Sequence, residues 1–318
     1  MSEKIVIICL AVLIATIVCL GYFAFSRIIP KYAIERDAID DKRGKIIHTN
    51  GFDIWSCFLN RESRNTPIIV ISGGSGLSSD YLEKHMHFLS DNYPILFYDA
   101  RGCGRSQIKK DLSNYSVSQF ADECKMIQEY FFPSKKVIII AHSFGGIIAM
   151  EFAAKYSDSL EKMLLISSPY AKYIPCYTNA FFRIGLPPKK QLDANKWYME
   201  HIEDFLGEYF YSPKTIRIFK ETVASYVVIA HVGGRKYDCS KKLKGKHIST
   251  LILVGGKKEL RISSIDTAKR LQKILPKAEI KQIKNSGHFM FAEAKNEFQT
   301  VVNEWINKEK DLNIVLKA

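Results

Sequence analysis

Val137-Ile138-Ile139-Ile140-Ala141-His142-Ser143-Phe144-Gly145-Gly146 decides the fold of this chain. The unbroken apolar, largely β-branched run from Val137 to Ala141 is the mark of a strand buried on both faces. A helix is expected from about Phe144 to Tyr156. Between strand and helix a tight turn places Ser143 at its apex. Such a turn demands small residues two before and two after the serine, and Ala141 and Gly145 supply them. The pattern A-x-S-x-G meets the same steric requirement as the G-x-S-x-G turn. A strained turn lifts the Ser143 hydroxyl to the carboxyl edge of the sheet, where ligands bind in open α/β folds. The Phe144 N–H, at the helix start, would then face a developing oxyanion.

Outward from this turn, buried strands alternate with helices. Residues 45–59 read as two short strands around Asn50-Gly51. Ile68–Ile71, Ile95–Tyr98, Met163–Ile166 and Leu251–Val254 are short apolar strands, and Ala278–Ile283 alternates. Phe120, Cys124, Ile127 and Phe131 fall on one face of a helix over 118–132, and Phe298–Ile306 closes with another. This is the pattern of a mostly parallel, doubly wound α/β sheet. The gap between Ser167 and Ser249 is too long for a loop, holds helical patterns, and reads as an inserted helical cap.

A serine hydroxyl is inert at neutral pH and needs a base, which itself needs an orienting acid. A nucleophile turn of this kind goes with the chain order Ser, Asp or Glu, His. Asn285-Ser286-Gly287-His288-Phe289 follows the strand at 278–283 and offers His288 on a loop. Leu251 to Val254 runs into Gly255-Gly256-Lys257-Lys258-Glu259, which makes Glu259 the nearest acid; Asp266, expected in a helix, is the alternative.

With these residues in place the chain, from about residue 45 to its end, resembles the α/β-hydrolase superfamily. Four ordered motifs carry the resemblance: Gly73-Gly74-Ser75-Gly76, the turn from Asp99 to Ser106, the serine turn, and Gly287-His288. Tyr98-Asp-Ala-Arg-Gly-Cys-Gly-Arg-Ser106 is most similar to the proline iminopeptidase group. That group carries His-Gly-Gly-Pro-Gly where this chain has Ser72-Gly73-Gly74-Ser75-Gly76, without the His and the Pro. Its acid is usually Asp rather than Glu. The resemblance implies a Ser143–His288–Glu259 triad, Gly74 as second oxyanion donor beside Phe144, and hydrolysis of an ester or amide through an acyl-enzyme. Asp99, Arg101 and His142 are read as bracing these turns.

The substrate is a small molecule or peptide, with iminopeptidase-like and carboxylesterase or lipase-type activity both open; a non-catalytic binding protein of the same fold is the reading from another class. Aminopeptidases of the group hold the substrate amine with acids in the cap. Glu200, Glu203, Asp204 and Glu208 are available, but Tyr198, Ile202, Phe205, Leu206 and Tyr209 form the opposite, apolar face of the same expected helix. Tyr170, Tyr173, Tyr177, Phe181, Phe182, Trp197 and Tyr211 could line an apolar pocket. His85-x-His87 lacks a third nearby ligand, so no metal is expected, and no cofactor fingerprint is present.

At the N-terminus, Ile5 to Phe25 is a run of 21 residues without charge, long enough as a helix to cross a hydrocarbon core of ~30 Å. It reads as a single-pass transmembrane anchor, since Ala24-Phe25-Ser26 poorly matches a leader cleavage site. The basic residues after it favour a catalytic domain on the cytoplasmic side. The expected organisation is an anchor over 1–27, a basic linker over 28–44, a hydrolase core over 45–168 and 249–318, and a cap over 169–248. The 318 residues are 47% apolar and 25% charged, an ordinary globular balance. The net charge of +13 is spread along the chain, densest from Lys241 to Lys246, with no motif for nucleic acid. Seven cysteines without CxxC spacing make neither a disulfide framework nor a zinc pattern.

Overall fold

The structure is a computed structural model that describes residues 35–49, 51–173, 191–233, 236–257 and 259–315, together with residues 6, 7, 10, 12, 13 and 16. Its centre is an eight-stranded sheet in the order β1-β2-β4-β3-β5-β6-β9-β10. The strands are β1 (Lys45–Thr49), β2 (Phe52–Leu59), β3 (Ile68–Ile71), β4 (Ile95–Tyr98), β5 (Val137–His142), β6 (Leu160–Ile166), β9 (Ser249–Gly255) and β10 (Ala278–Ile283). β2 is antiparallel to β1 and β4, and the remaining pairs are parallel. A short separate pair, β7 (Lys172–Tyr173) and β8 (Tyr237–Asp238), lies between β6 and β9 in the chain.

Strand β5 shows why its run of isoleucines is needed. Its side chains alternate between two layers, with Val137, Ile139 and Ala141 in one apolar core and Ile138 and Ile140 in the other. Both faces are covered, so neither set can be polar. One core packs under α2 (Val117–Phe131) and α3 (Gly145–Lys155); the other packs under α1 (Asp80–Met86), α9 (Met290–Glu293) and α10 (Lys295–Val315). Ser116 caps α2 by accepting from the Gln119 N–H. The four described cysteines beyond residue 34, Cys57, Cys103, Cys124 and Cys239, are free and buried.

Between β6 and β9 the chain leaves the sheet and forms helical insertions: α4 (Gln191–Glu200), α5 (Ile202–Leu206), α6 (Tyr226–Gly233) and α7 (Ser240–Leu243). The single helix expected across 198–209 is broken at His201, whose backbone (φ −105°, ψ 17°) leaves the helical region. The apolar face nonetheless turns inward, since Tyr198 and Ile202 are buried. α8 (Ile265–Gln272) follows β9 and carries Asp266 in its first turn.

The transmembrane anchor expected over residues 1–27 is corrected here. Among the described residues no helix is long and apolar enough to cross a membrane. Of the 5–25 run, Val6, Ile7, Leu10, Val12, Leu13 and Thr16 are described as helical, and the rest lies outside the described residues. An apolar count over a stretch of sequence sets the length a span could have; it does not supply the continuous hydrogen-bonded helix that a hydrocarbon core requires. The membrane partner, the membrane localisation and the cytoplasmic orientation all rested on that helix and fall with it.

Candidate active site

Ser143 occupies the turn between β5 and α3 with φ 52°, in the left-handed region that a serine rarely adopts. Its N–H donates to the Ile166 carbonyl at 2.8 Å, and the Gly146 N–H returns to its own carbonyl at 2.9 Å. The need for small neighbours is visible in atoms. A Cβ on Gly145 would lie 2.5 Å from the Ser72 carbonyl oxygen, and one on Gly73 would lie 2.8 Å from the Ser143 Cβ. The glycine loop after β3 is thereby packed directly against the serine turn. Gly74, at φ 57°, and Phe144, which caps α3, line the same cavity as Ser143 and His288.

His288 and Glu259 meet from the loops after β10 and β9. His288 Nδ1 is 2.8 Å from Glu259 Oε1, and both side chains are almost wholly buried. The carboxylate is further held by the Ser263 hydroxyl and the Leu260 N–H on Oε1, and by the Ser167 hydroxyl and the Gly255 N–H on Oε2. Burial alone would raise its pKa. The charge and hydrogen bond of His288, with the Ser167 and Gly255 donors, outweigh that and lower it to about 2. Asp266 is exposed on α8. The His288 peptide is tied on both sides: its N–H donates to the Tyr209 carbonyl at 3.0 Å, and its carbonyl accepts from His142 Nε2 at 3.1 Å.

Asp99 and Arg101 lie off the cavity, in buried ion pairs. Asp99 receives Arg105 Nε at 2.7 Å and the Ser79 N–H at 2.7 Å; Arg101 Nε donates to Glu123 at 2.8 Å. They hold the turn that backs the glycine loop, as expected of braces.

Comparison with known proteins bears on the fold. The family model described as alpha/beta hydrolase fold matches residues 66–184. A proline iminopeptidase of Saccharolobus solfataricus is 25% identical over 293 residues, covering 83% of this chain and 92% of that protein. The AB hydrolase superfamily protein YisY of Bacillus subtilis is 25% identical over 272 residues, covering 79% and 95%. A thermophilic esterase from Thermogutta terrifontis superposes with a TM-score of 0.65 at 18% identity, over 87% of this chain and 99% of the other. The meta-cleavage product hydrolase of Pseudomonas fluorescens IP01 gives a TM-score of 0.64 at 19% identity, over 84% and 99%. The chain has the α/β-hydrolase fold.

The fold matches that of catalytic α/β-hydrolases. Its cavity is about 140 Å³ and is lined by neutral groups, among them Tyr198, Leu206, Tyr209, Phe219, Ile229 and Phe289. No Asp, Glu, Lys or Arg among the described residues lines it. The four acids considered for holding an amine, Glu200, Glu203, Asp204 and Glu208, are all exposed. Of the aromatics considered for the pocket, Tyr177, Phe181 and Phe182 lie outside the described residues. Trp197 packs on His201, Phe205 and Tyr226, and Tyr170 under Arg270.

Sequence reasoning missed three groups around this site. Ser167, at the end of β6 with φ 46°, supports Glu259. Glu293 accepts the Tyr211 and Ser212 N–H groups and the Thr215 hydroxyl on Oε1, and the Gly287 N–H on Oε2. Tyr81, from α1, bonds both the Gly73 N–H and His142. The alternation of β5 carried one usable signal: His142 shares the phase of Ile138 and Ile140 and so points to the face where Tyr81 packs.

Proposed function

We propose that this chain is a serine hydrolase acting through an acyl-enzyme, with Ser143 as nucleophile, His288 as base and Glu259 as acid. Ser143 Oγ attacks the carbonyl carbon as His288 Nε2 takes its proton; the N–H groups of Phe144 and Gly74 receive the oxyanion. The imidazolium returns the proton to the leaving group, and water repeats the cycle on the acyl-serine. Glu259, held ionised, fixes the tautomer with Nδ1–H and stabilises the imidazolium. The observation that carries the reading is the 2.8 Å bond between His288 Nδ1 and a buried carboxylate that four further hydrogen bonds hold in place. The inserted segment over 169–248 serves as the cap that supplies the apolar wall.

The substrate we favour is an ester with a small uncharged acyl group. An N-terminal ammonium in the described cavity would be stripped of water with no carboxylate to meet it, a costly state. A cavity of about 140 Å³ is close to the ~150 Å³ that holds a benzene-sized guest. The second reading, an iminopeptidase-like amidase, is supported by the relatives of that name. Parallel kinetics with 4-nitrophenyl acetate, butyrate and decanoate and with prolyl-4-nitroanilide separate the two. Faster kcat/KM on the short esters supports the ester reading; a preference for the prolyl anilide overturns it.

A further inference from the structure

We propose that Tyr81 and His142 are positioning residues: together they form a hydrogen-bonded bridge of fixed donor order that ties the glycine loop bearing the oxyanion donor to the peptide bearing the base. The proposal rests on the triad reading above and extends it to two residues outside the triad that border the same cavity.

The donor order follows from what each atom can do. The His288 carbonyl can only accept, so His142 Nε2, 3.1 Å away, must carry the proton and donate. Full burial and the neighbouring His288 hold the His142 imidazole neutral, its pKa well below the usual value. A neutral ring protonated on Nε2 has a bare Nδ1, and that atom must accept the Tyr81 hydroxyl at 2.9 Å. The Tyr81 oxygen, its proton committed, accepts the Gly73 N–H at 2.5 Å. The sequence Gly73 N–H, Tyr81 O–H, His142 N–H, His288 C=O therefore runs in one direction, with each donor used once. No other ordering satisfies both ends.

Both ends matter for the chemistry. Gly73 immediately precedes Gly74, and the bond to Tyr81 helps fix the peptide from which Gly74 projects. His288 carries the base on the peptide that His142 holds. Tyr81 and His142 are buried, with 1% and 2% exposure, and are wedged by Phe219 and Phe291. The bridge thus sets the distance between two loops that have no direct covalent reason to stay in register. Catalytic geometry is lost by displacements of ~0.5 Å, well within what a broken bridge allows.

The test uses full-length protein, 4-nitrophenyl butyrate as substrate and phenylboronic acid as a probe that forms a tetrahedral adduct on a reactive serine. Tyr81→Phe keeps the ring and removes the hydroxyl. The expected result is a fall in kcat of about 10- to 100-fold with KM changed less than about twofold, and a parallel loss of boronate affinity. His142→Phe should lose a similar factor, and the Tyr81→Phe/His142→Phe pair no more than either alone, as members of one unit do. His142→Gln, which offers an amide N–H and a carbonyl at similar reach, should recover most of the loss. Wild-type kcat and boronate affinity in Tyr81→Phe would overturn the bridge, as would additive losses in the double variant. Should Tyr81→Phe give no folded protein, the contrast of His142→Gln with His142→Phe decides the same point, equal activities counting against the bridge. Ser143→Ala separates the levels. If it is inert while Tyr81→Phe is unaffected, the bridge alone fails; if it turns over normally, the triad reading fails and the bridge with it.

Discussion

Glu259 reaches His288 from a loop 29 residues earlier in the chain, and its two oxygens take five hydrogen bonds, from His288, Leu260, Ser263, Ser167 and Gly255. A carboxylate so heavily donated to is fixed in direction as well as in charge, and the imidazole that bonds it inherits that direction. The longer reach of a Glu is matched by the Ser167 hydroxyl at the end of β6, which anchors its far oxygen.

Replacing Glu259 with Gln should therefore lower kcat by about 10³- to 10⁴-fold, because an amide N–H facing Nδ1 favours the wrong tautomer. Asp266→Asn, on the exposed side of α8, should leave kcat within about twofold. Steady-state kinetics on both variants check this, and a larger loss in Asp266→Asn would reassign the acid.

Acid should weaken the fold through the same carboxylate. Its folded pKa of about 2 lies below the ordinary 4.5, so its stabilisation is fully present above about pH 4.5 and is lost as pH falls through about 2. The linkage is worth up to roughly 3 kcal/mol across that window. Urea melts of the wild type and Glu259→Gln between pH 5 and pH 2 should converge as the pH drops; parallel curves would contradict the assignment.

Glu293 joins the inserted segment at Tyr211–Thr215 to Gly287, beside His288. In Glu293→Gln one end of the amide must face an N–H, leaving a donor unmatched, and stability should fall by ~1–3 kcal/mol. Hydrogen exchange should accelerate together in 209–215 and 285–289. Protection unchanged in either segment would mean that the two are held independently.

A methyl group at Gly73 should be poorly tolerated. Its Cβ would stand 2.8 Å from both the His142 carbonyl oxygen and the Ser143 Cβ, closer than real contacts allow, so the loop or the serine turn must move. Gly73→Ala should lower kcat by at least about 10-fold with the melting temperature reduced. Wild-type kinetics would show that the loop position is not critical.

How much was legible in the sequence depended on whether a feature has a local cause. The β5 run and the small residues flanking Ser143 reflect backbone sterics within ten residues, and both strand and turn lie where periodicity and size put them. His288 and Glu259 were reachable through chain order, since each follows a parallel strand whose carboxyl end must lie at one sheet edge. Tyr81 and Glu293 had no such cue. Tyr81 meets His142 across 61 positions and Glu293 meets Tyr211 across 82; a lone Tyr on a seven-residue helix and a lone Glu on a four-residue one have no pattern to betray a partner. Helix α1 was missed for the same reason, being too short for a period to register. The N-terminal run is a different case: apolar length sets what a span could be, and among the described residues no helix is long and apolar enough to cross a membrane.

The most direct measurement is labelling of the wild type and of Ser143→Ala with a fluorophosphonate probe, read by intact-mass spectrometry alongside hydrolysis of 4-nitrophenyl butyrate. The account predicts one covalent adduct on the wild type, mapped to Ser143, and neither adduct nor turnover in the variant. An adduct elsewhere, or turnover that survives the loss of the Ser143 hydroxyl, would contradict it.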